Sequence, residues 1–204
     1  VVQFDQGLRI DFTLMPVGLL ERIVGEPQLP DEFDAGYRVL LDKDGLTAGL
    51  KPPTYRAFIP QPPSESRYLG VIELCCLDAT VAAKFLWRDD LIAAKHLLDH
   101  YIKQDYLLPV LEWCAEIEQG WTVKPGPYGR GLKRWLRRDL WDELAATYTG
   151  AEAEANWEAV FRSLALLKRA ATEAGAALGY AYPQAMHERT VAYIEQVKAT
   201  PQEA

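Results

Sequence analysis

The sequence predicts an α+β chain, a small sheet fragment followed by an α-helical bundle, and three observations carry that reading. Arg9 to Leu14 alternates strictly, with Arg9, Asp11 and Thr13 on one face of a strand and Ile10, Phe12 and Leu14 on the other. Lys51 to Pro63 holds five prolines in thirteen residues, which no regular helix tolerates. From Ser64 onward apolar residues recur at three- and four-residue spacings, the period of an amphipathic helix.

Taken in order, Val1 to Asp5 and Leu8 to Leu14 read as two short strands joined by a hairpin turn at Gln6-Gly7. Leu19 to Gly25 reads as a helix. Tyr37 to Leu41 reads as a further short strand, ending where Asp42-Lys43-Asp44-Gly45 suits a turn. The proline-rich stretch is the expected boundary, which divides the chain into 1–62 and 63–204. Ser64 is placed to cap a helix, with Glu65 in its positive first turn. Tyr68, Val71, Ile72, Cys75, Ala79, Ala82 and Leu86 form the buried stripe of that helix. A second starts near Asp89 and carries Leu91, Ala94, Leu97, Leu98, Tyr101 and Ile102, with Pro109 forcing a kink or break. Later helices are expected over 131–148, 153–178 and 183–199. In the longest, Trp157, Val160, Phe161, Leu164 and Leu167 form the stripe; Gly179 suits its stop and Pro183 a first helical position.

With 204 residues and 49% hydrophobic content the chain has ample material for a core. No run approaches the roughly 18 apolar residues that cross a bilayer, and the N-terminus lacks a basic region followed by an apolar one. No membrane partner is expected, and the expected location is the cytoplasm. Cys75 and Cys76 are adjacent and Cys114 stands alone, so no zinc or redox spacing exists and buried thiols are expected. The balance of 22 basic and 29 acidic residues, a net charge of -7, argues against nucleic acid and suits a small cationic substrate. Lys124 to Arg138 holds six basic residues and no acidic one, and Asp139 to Phe161 the reverse, six acidic and none basic. The two runs are either solvated helix faces or surfaces for phosphate and for amines respectively.

Several separated blocks then stand out: Leu41-Asp42-Lys43-Asp44-Gly45, Gly49-Leu50-Lys51-Pro52-Pro53-Thr54-Tyr55, Ala82-Ala83-Lys84-Phe85-Leu86-Trp87-Arg88-Asp89 and Tyr128-Gly129-Arg130-Gly131-Leu132-Lys133. In that order, from about Leu8 to Tyr182, the chain resembles the aminoglycoside 6-adenylyltransferases, streptomycin-modifying enzymes of the nucleotidyltransferase superfamily. The resemblance implies the C-terminal part of a nucleotidyltransferase mixed sheet followed by an α-helical bundle. Residues 1–62 would be the remainder of the nucleotidyltransferase domain with its linker, and 63–204 the helical substrate- and nucleotide-binding domain. It also implies ATP as co-substrate, Mg2+, and an aminoglycoside such as streptomycin as acceptor, hence antibiotic resistance. The superfamily opens with a Gly-Ser turn and an Asp-x-Asp pair on a strand. Neither is present, and Val1 stands where Met would. The expectation is a chain that enters the fold partway through its catalytic domain and is an incomplete catalytic unit.

Nucleotidyl transfer needs a hydroxyl in line with the α-phosphate, neutralisation of phosphate charge, and a base for the hydroxyl proton. Asp11 matches the third carboxylate of the family, which implies a general base with a share in metal binding. Lys84 lies four residues from both Thr80 and Arg88, one helix face. It is either an exposed lysine or, as the resemblance implies, a point charge on the triphosphate. Tyr128 to Lys133 has the glycine and basic content of a phosphate-binding turn leading into a helix, without the spacing of a P-loop. The resemblance places Arg130 or Lys133 near ATP, converging with Lys84 on one pocket. Asp78, Trp87 and Glu112, with the stretch around Glu152 and Glu154, are candidates for the cationic groups of the drug. His96 and His100 lack an intervening Glu of zincin type and His187 has no ligand spacing, so zinc is not expected. Two rival readings stay open: a noncatalytic helical binding module of nucleotidyltransferase ancestry, and a nucleotidyltransferase for another small alcohol. The oligomeric state is open as well.

Overall fold

A computed structural model describes residues 1–123 and 126–201. The chain divides into two compact units, Val1–Phe58 and Ile59–Ala204, with the proline-rich stretch straddling the division. The architecture is α+β: a two-stranded sheet and a helical bundle.

In the first unit, strands β1 (Val2–Gln3) and β2 (Arg9–Ile10) pair antiparallel, with Val2 opposite Ile10 and Gln3 opposite Arg9. Gln6 and Gly7 both take positive φ, 71° and 82°, the handedness that matches the twist of a tight hairpin. The strands are shorter than the alternation predicts. Their outer edges have no ladder partner among the described residues, and Phe12 and Leu14 stand 63% and 96% exposed. Tyr37 to Leu41 forms no strand, for the same reason: an extended segment needs a neighbour to hydrogen-bond, and Leu40 and Leu41 are exposed.

Helix α1 (Val17–Gly25) starts after Pro16 and is two residues longer at its beginning than predicted; α2 (Asp31–Asp34) is a single turn. Only Ile23 and Ala57 are buried apolar side chains here, so polar clips hold the unit. The Lys51 ammonium binds the carbonyls of Val24 and Glu26 at the C-terminal end of α1. Asp34 accepts from the Thr54 amide and hydroxyl, both at 2.7 Å, and from the Ala57 amide at 3.1 Å. Asp42 accepts from Leu46 and Thr47 in the expected turn, where Gly45 has φ 69°.

In the second unit the Ser64 hydroxyl accepts from the Arg67 amide at 3.2 Å and starts α3 (Glu65–Trp87). The whole predicted stripe from Tyr68 to Leu86 is buried. α3 packs most extensively against α4 (Leu91–His96), the π-helical segment Leu97–Leu107, α7 (Ala153–Leu178) and α8 (Gln184–Ala199). The π-helical segment passes into α5 (Leu108–Gln119) without a break. Pro109 therefore ends no helix. It sits in the first turn of α5, and the wider i→i+5 turns precede it, where a ring would otherwise crowd the carbonyls of a tighter turn.

The helix expected over 131–148 is shorter, α6 (Arg138–Ala145), because Gly131 takes φ 89° and only a 3₁₀ turn, Leu132–Arg134, follows it. α7 has the predicted span and ends at Gly179 with φ 81°. Pro183 caps α8 from outside. The three cysteines are buried and unbridged. Tyr68 anchors the core: its ring lies 5.6 Å from Tyr180 and 6.3 Å from Trp113, and its hydroxyl donates to the Ala171 carbonyl at 2.9 Å. No helix among the described residues is long and apolar enough to cross a membrane.

Candidate functional site

Asp11 follows β2 directly, and the alternation of the chain sets it beside Arg9. Both carboxylate oxygens accept from the Arg9 guanidinium at 3.2 Å, an exposed pair. The pairing with Arg9 thus fixes where the carboxylate points. Among the described residues no three His, Cys, Asp or Glu side chains gather closely enough to hold a metal ion. Asp11 alone, already engaged by Arg9, does not make a magnesium centre.

Lys84 and Trp87 lie three residues apart on the last turns of α3, and the structure brings them together. With Arg88 and, from α8 and the residue after it, Tyr193, Val197 and Thr200, they line a cavity of about 270 Å³. The Lys84 ammonium sits 5.7 Å from the centre of the Tyr193 ring, and the Trp87 indole donates to the Thr200 carbonyl at 2.8 Å. An ammonium held over one aromatic face, with Arg88 also in the lining, gives this cavity a positive character. Thr80 donates instead to the Leu77 carbonyl of its own helix.

Asp78 faces elsewhere. It accepts from the Tyr106 hydroxyl of the π-helical segment at 2.7 Å and lies about 13 Å along α3 from Trp87. Glu112, half-buried on α5, has its carboxyl pushed up to about 7 by burial and then by Glu116. Glu116 is a residue the sequence reading passed over. It is 1% exposed, burial outweighs the nearby Val123 amide and raises its carboxyl, and neither oxygen makes a hydrogen bond among the described residues. The signal was its position four residues after Glu112, directly following Trp113, Cys114 and Ala115, which the core absorbs.

Arg130 and Lys133 sit in the loop before α6. The Gly126 amide donates to the Arg130 carbonyl at 3.0 Å, and the Lys133 ammonium lies 5.2 Å from the Trp141 ring. Lys124 lies outside the described residues. Only a 3₁₀ turn, and no α-helix, starts here, and the cavity this turn borders shares no lining residue with that of Lys84.

The acidic run is mostly spoken for. Asp139 pairs with Arg137 and Arg169, Glu143 with Arg169, Asp142 with Arg138, Glu158 with Arg162, and Glu154 with Lys198. Arg169 and Arg137 also bind Glu173, so α6 and α7 are clamped together, and Asp139 is held down to about 2, first by Arg137 and then by Arg169. These charges act within the bundle. His96 and His100 stack with ring centres 5.5 Å apart. His187 is buried, its Nδ1 2.8 Å from the Tyr182 hydroxyl.

Comparison with known proteins adds the following. The profile of the family described as "Streptomycin adenylyltransferase" matches residues 1–197. The chain is 25% identical over 184 residues to an aminoglycoside 6-adenylyltransferase of Campylobacter jejuni, covering 88% of this chain and 60% of that one. It is 25% identical over 183 residues to one of Bacillus subtilis (strain 168), covering 90% and 62%. The crystal structure of an aminoglycoside 6-adenyltransferase from Bacillus subtilis superposes with a TM-score of 0.63 at 22% identity, over 69% of this chain and 52% of that one. The chain thus spans about 60% of the length of the curated relatives it matches.

Proposed function

The chain belongs to the streptomycin adenylyltransferase family, and from that premise we propose that the complete protein transfers an adenylyl group from ATP to a hydroxyl of an aminoglycoside such as streptomycin. The match along residues 1–197 carries this reading. The acceptor oxygen bonds to the α-phosphorus, the bond to the pyrophosphate oxygen breaks, and the hydroxyl proton passes to Asp11. Arg9 orients that carboxylate and gives it up when the acceptor arrives. Lys84 meets phosphate from α3, with its ammonium beside the Tyr193 ring. Arg130 and Lys133 supply further positive charge. Trp87, Asp78 and Glu112 are assigned to the drug, whose guanidinium and amine groups suit an indole face and carboxylates.

Residues 1–62 serve in this reading as the remainder of the nucleotidyltransferase domain and 63–204 as the helical domain. The place of action is the cytoplasm, where ATP is held, and the product is an inactivated drug. Any Mg2+ that accompanies ATP takes its ligands from carboxylates other than Asp11 alone.

Mass analysis of streptomycin incubated with the complete protein, ATP and magnesium tests the proposal; an adduct heavier by one adenylyl group is expected. A noncatalytic module of the same ancestry is the rival, favoured by the engagement of both Asp11 oxygens with Arg9. Unmodified drug that nevertheless binds would select it.

A further inference from the structure

The assignments above leave a cavity of about 390 Å³ in the helical unit without a role. Its walls come from the π-helical segment, from the turn that ends at Gly129, and from α6 with the residues behind it. Tyr128, Trp141 and Tyr148 line it with their rings, beside Lys103 and Gln104. This is within the size range of small-molecule sites, and three aromatic faces around one space are more than a core requires.

Its charge is one-sided. The Lys103 side chain is fully buried, with its ammonium 2.5 Å from Asp99 and 4.6 Å from the centre of the Tyr148 ring. Asp99 also holds Lys95 at 2.8 Å, so one carboxylate faces two ammonium groups. No carboxylate lines the cavity among the described residues. Lys133 lies against Trp141, a lining ring, and Arg130 follows Gly129, which borders the space. Such walls repel a polycationic sugar. They suit a flat ring that stacks, carrying a negative tail that reaches the basic turn.

We propose that this cavity seats the base of a purine nucleotide, with the phosphates directed toward Lys133 and Arg130. The Gln104 amide carries both a donor and an acceptor for the edge of the base. The proposal rests on the adenylyl-transfer reading, which makes ATP the nucleotide concerned, and it assigns the base a place that the phosphate residues do not specify.

Two substitutions separate the cavity from the fold. Tyr128 is 91% exposed with φ 59°, a conformation Asn accepts, so Tyr128→Asn removes a ring at little structural cost. Ala145 is exposed and lines the cavity, so Ala145→Phe fills it from a helix surface. Calorimetry on the 204-residue chain compares ATP, CTP and inorganic tripolyphosphate. Each variant should weaken ATP by about tenfold or more, the scale of one lost stacking contact, and leave tripolyphosphate binding unchanged. ATP should bind the parent chain more tightly than CTP.

Equal ATP affinity in the parent and both variants overturns the assignment, as does equal binding of ATP and CTP, or absence of ATP binding. The streptomycin assay on the complete protein decides the parent reading separately. Product formed with unchanged ATP affinity in the variants sinks the cavity alone, and no product from the unaltered protein sinks adenylyl transfer.

Discussion

Replacing Glu112 by Gln is expected to stabilise the protein at neutral and alkaline pH. In the folded chain burial, and then Glu116, hold the Glu112 carboxyl at about 7 against an ordinary 4.5. The folded state therefore binds this proton more tightly than the unfolded state does. Stability is greatest below about 4.5 and is lost as pH rises through about 7. At about 1.4 kcal/mol per tenfold change in proton affinity, the full loss is about 3 kcal/mol. That figure is an upper bound, since water reaches a half-buried carboxylate. Gln keeps the shape without the charge, and Glu116 loses a like-charged neighbour. The advantage of the variant should grow from under about 1 kcal/mol at pH 5 to about 3 kcal/mol by pH 8. Urea titrations of both proteins across that range give the difference curve directly. A flat difference, or one in which the parent gains on the variant with rising pH, refutes the argument from burial.

In the complete protein, Asp11→Asn should lower turnover by about a hundredfold or more, the scale of a positioned base, and a steady-state assay with unchanged turnover removes that role. Arg169→Ala should loosen α6 from α7 and lower the melting temperature by about 2–4 °C; its ion pair with Asp139 contributes above the ordinary carboxylate range and fails as pH falls toward about 2, so the deficit should shrink in strong acid. Gly175→Ala places a methyl 2.6 Å from the Tyr68 hydroxyl and 2.7 Å from the Tyr180 carbonyl, which should cost about 1–3 kcal/mol in denaturant unfolding. Streptomycin binding by the complete protein should weaken as salt rises, and calorimetry should show Asp78→Asn and Glu112→Gln weakening it more than Glu195→Gln; equal effects leave the negative charge as a solubility feature.

The long helices were legible because their signals are local. Ser64 and Gly179 mark ends by backbone geometry, and the stripe from Tyr68 to Leu86 is a period that one turn of helix produces on its own. Strand lengths were not, because Leu8 to Leu14 can alternate perfectly and still find a ladder partner only at Arg9 and Ile10. The same applies to Tyr37 to Leu41. Within the candidate site, the meeting of Lys84 with Trp87 follows from i,i+3 spacing, whereas their shared cavity with Tyr193 and Thr200 depends on packing that no spacing reveals. The acidic run from Asp139 looked available because its main partner, Arg169, stands thirty residues away in the chain. Glu116 was invisible for a related cause: an acidic residue is assumed to face water until its neighbours are known.

The π-helical segment makes residue count itself a structural variable. Ala94, Leu98, Ile102, Tyr106, Val110 and Cys114 are all buried at uniform steps of four. In an ordinary α-helix each such step overshoots a full circle by about 40°, so the sixth residue would end on the opposite side of the rod. Slower winding between Leu97 and Leu107 absorbs the overshoot and keeps the seam straight. Deleting one residue there would let the segment tighten and would turn α5 by about 100°, swinging Val110 and Cys114 out of the core and re-aiming Glu112. Homologous chains should thus tolerate length variation in the 148–152 loop while conserving the number of residues between Leu91 and Gln119, a phasing constraint that acts on insertions and deletions and is blind to residue identity.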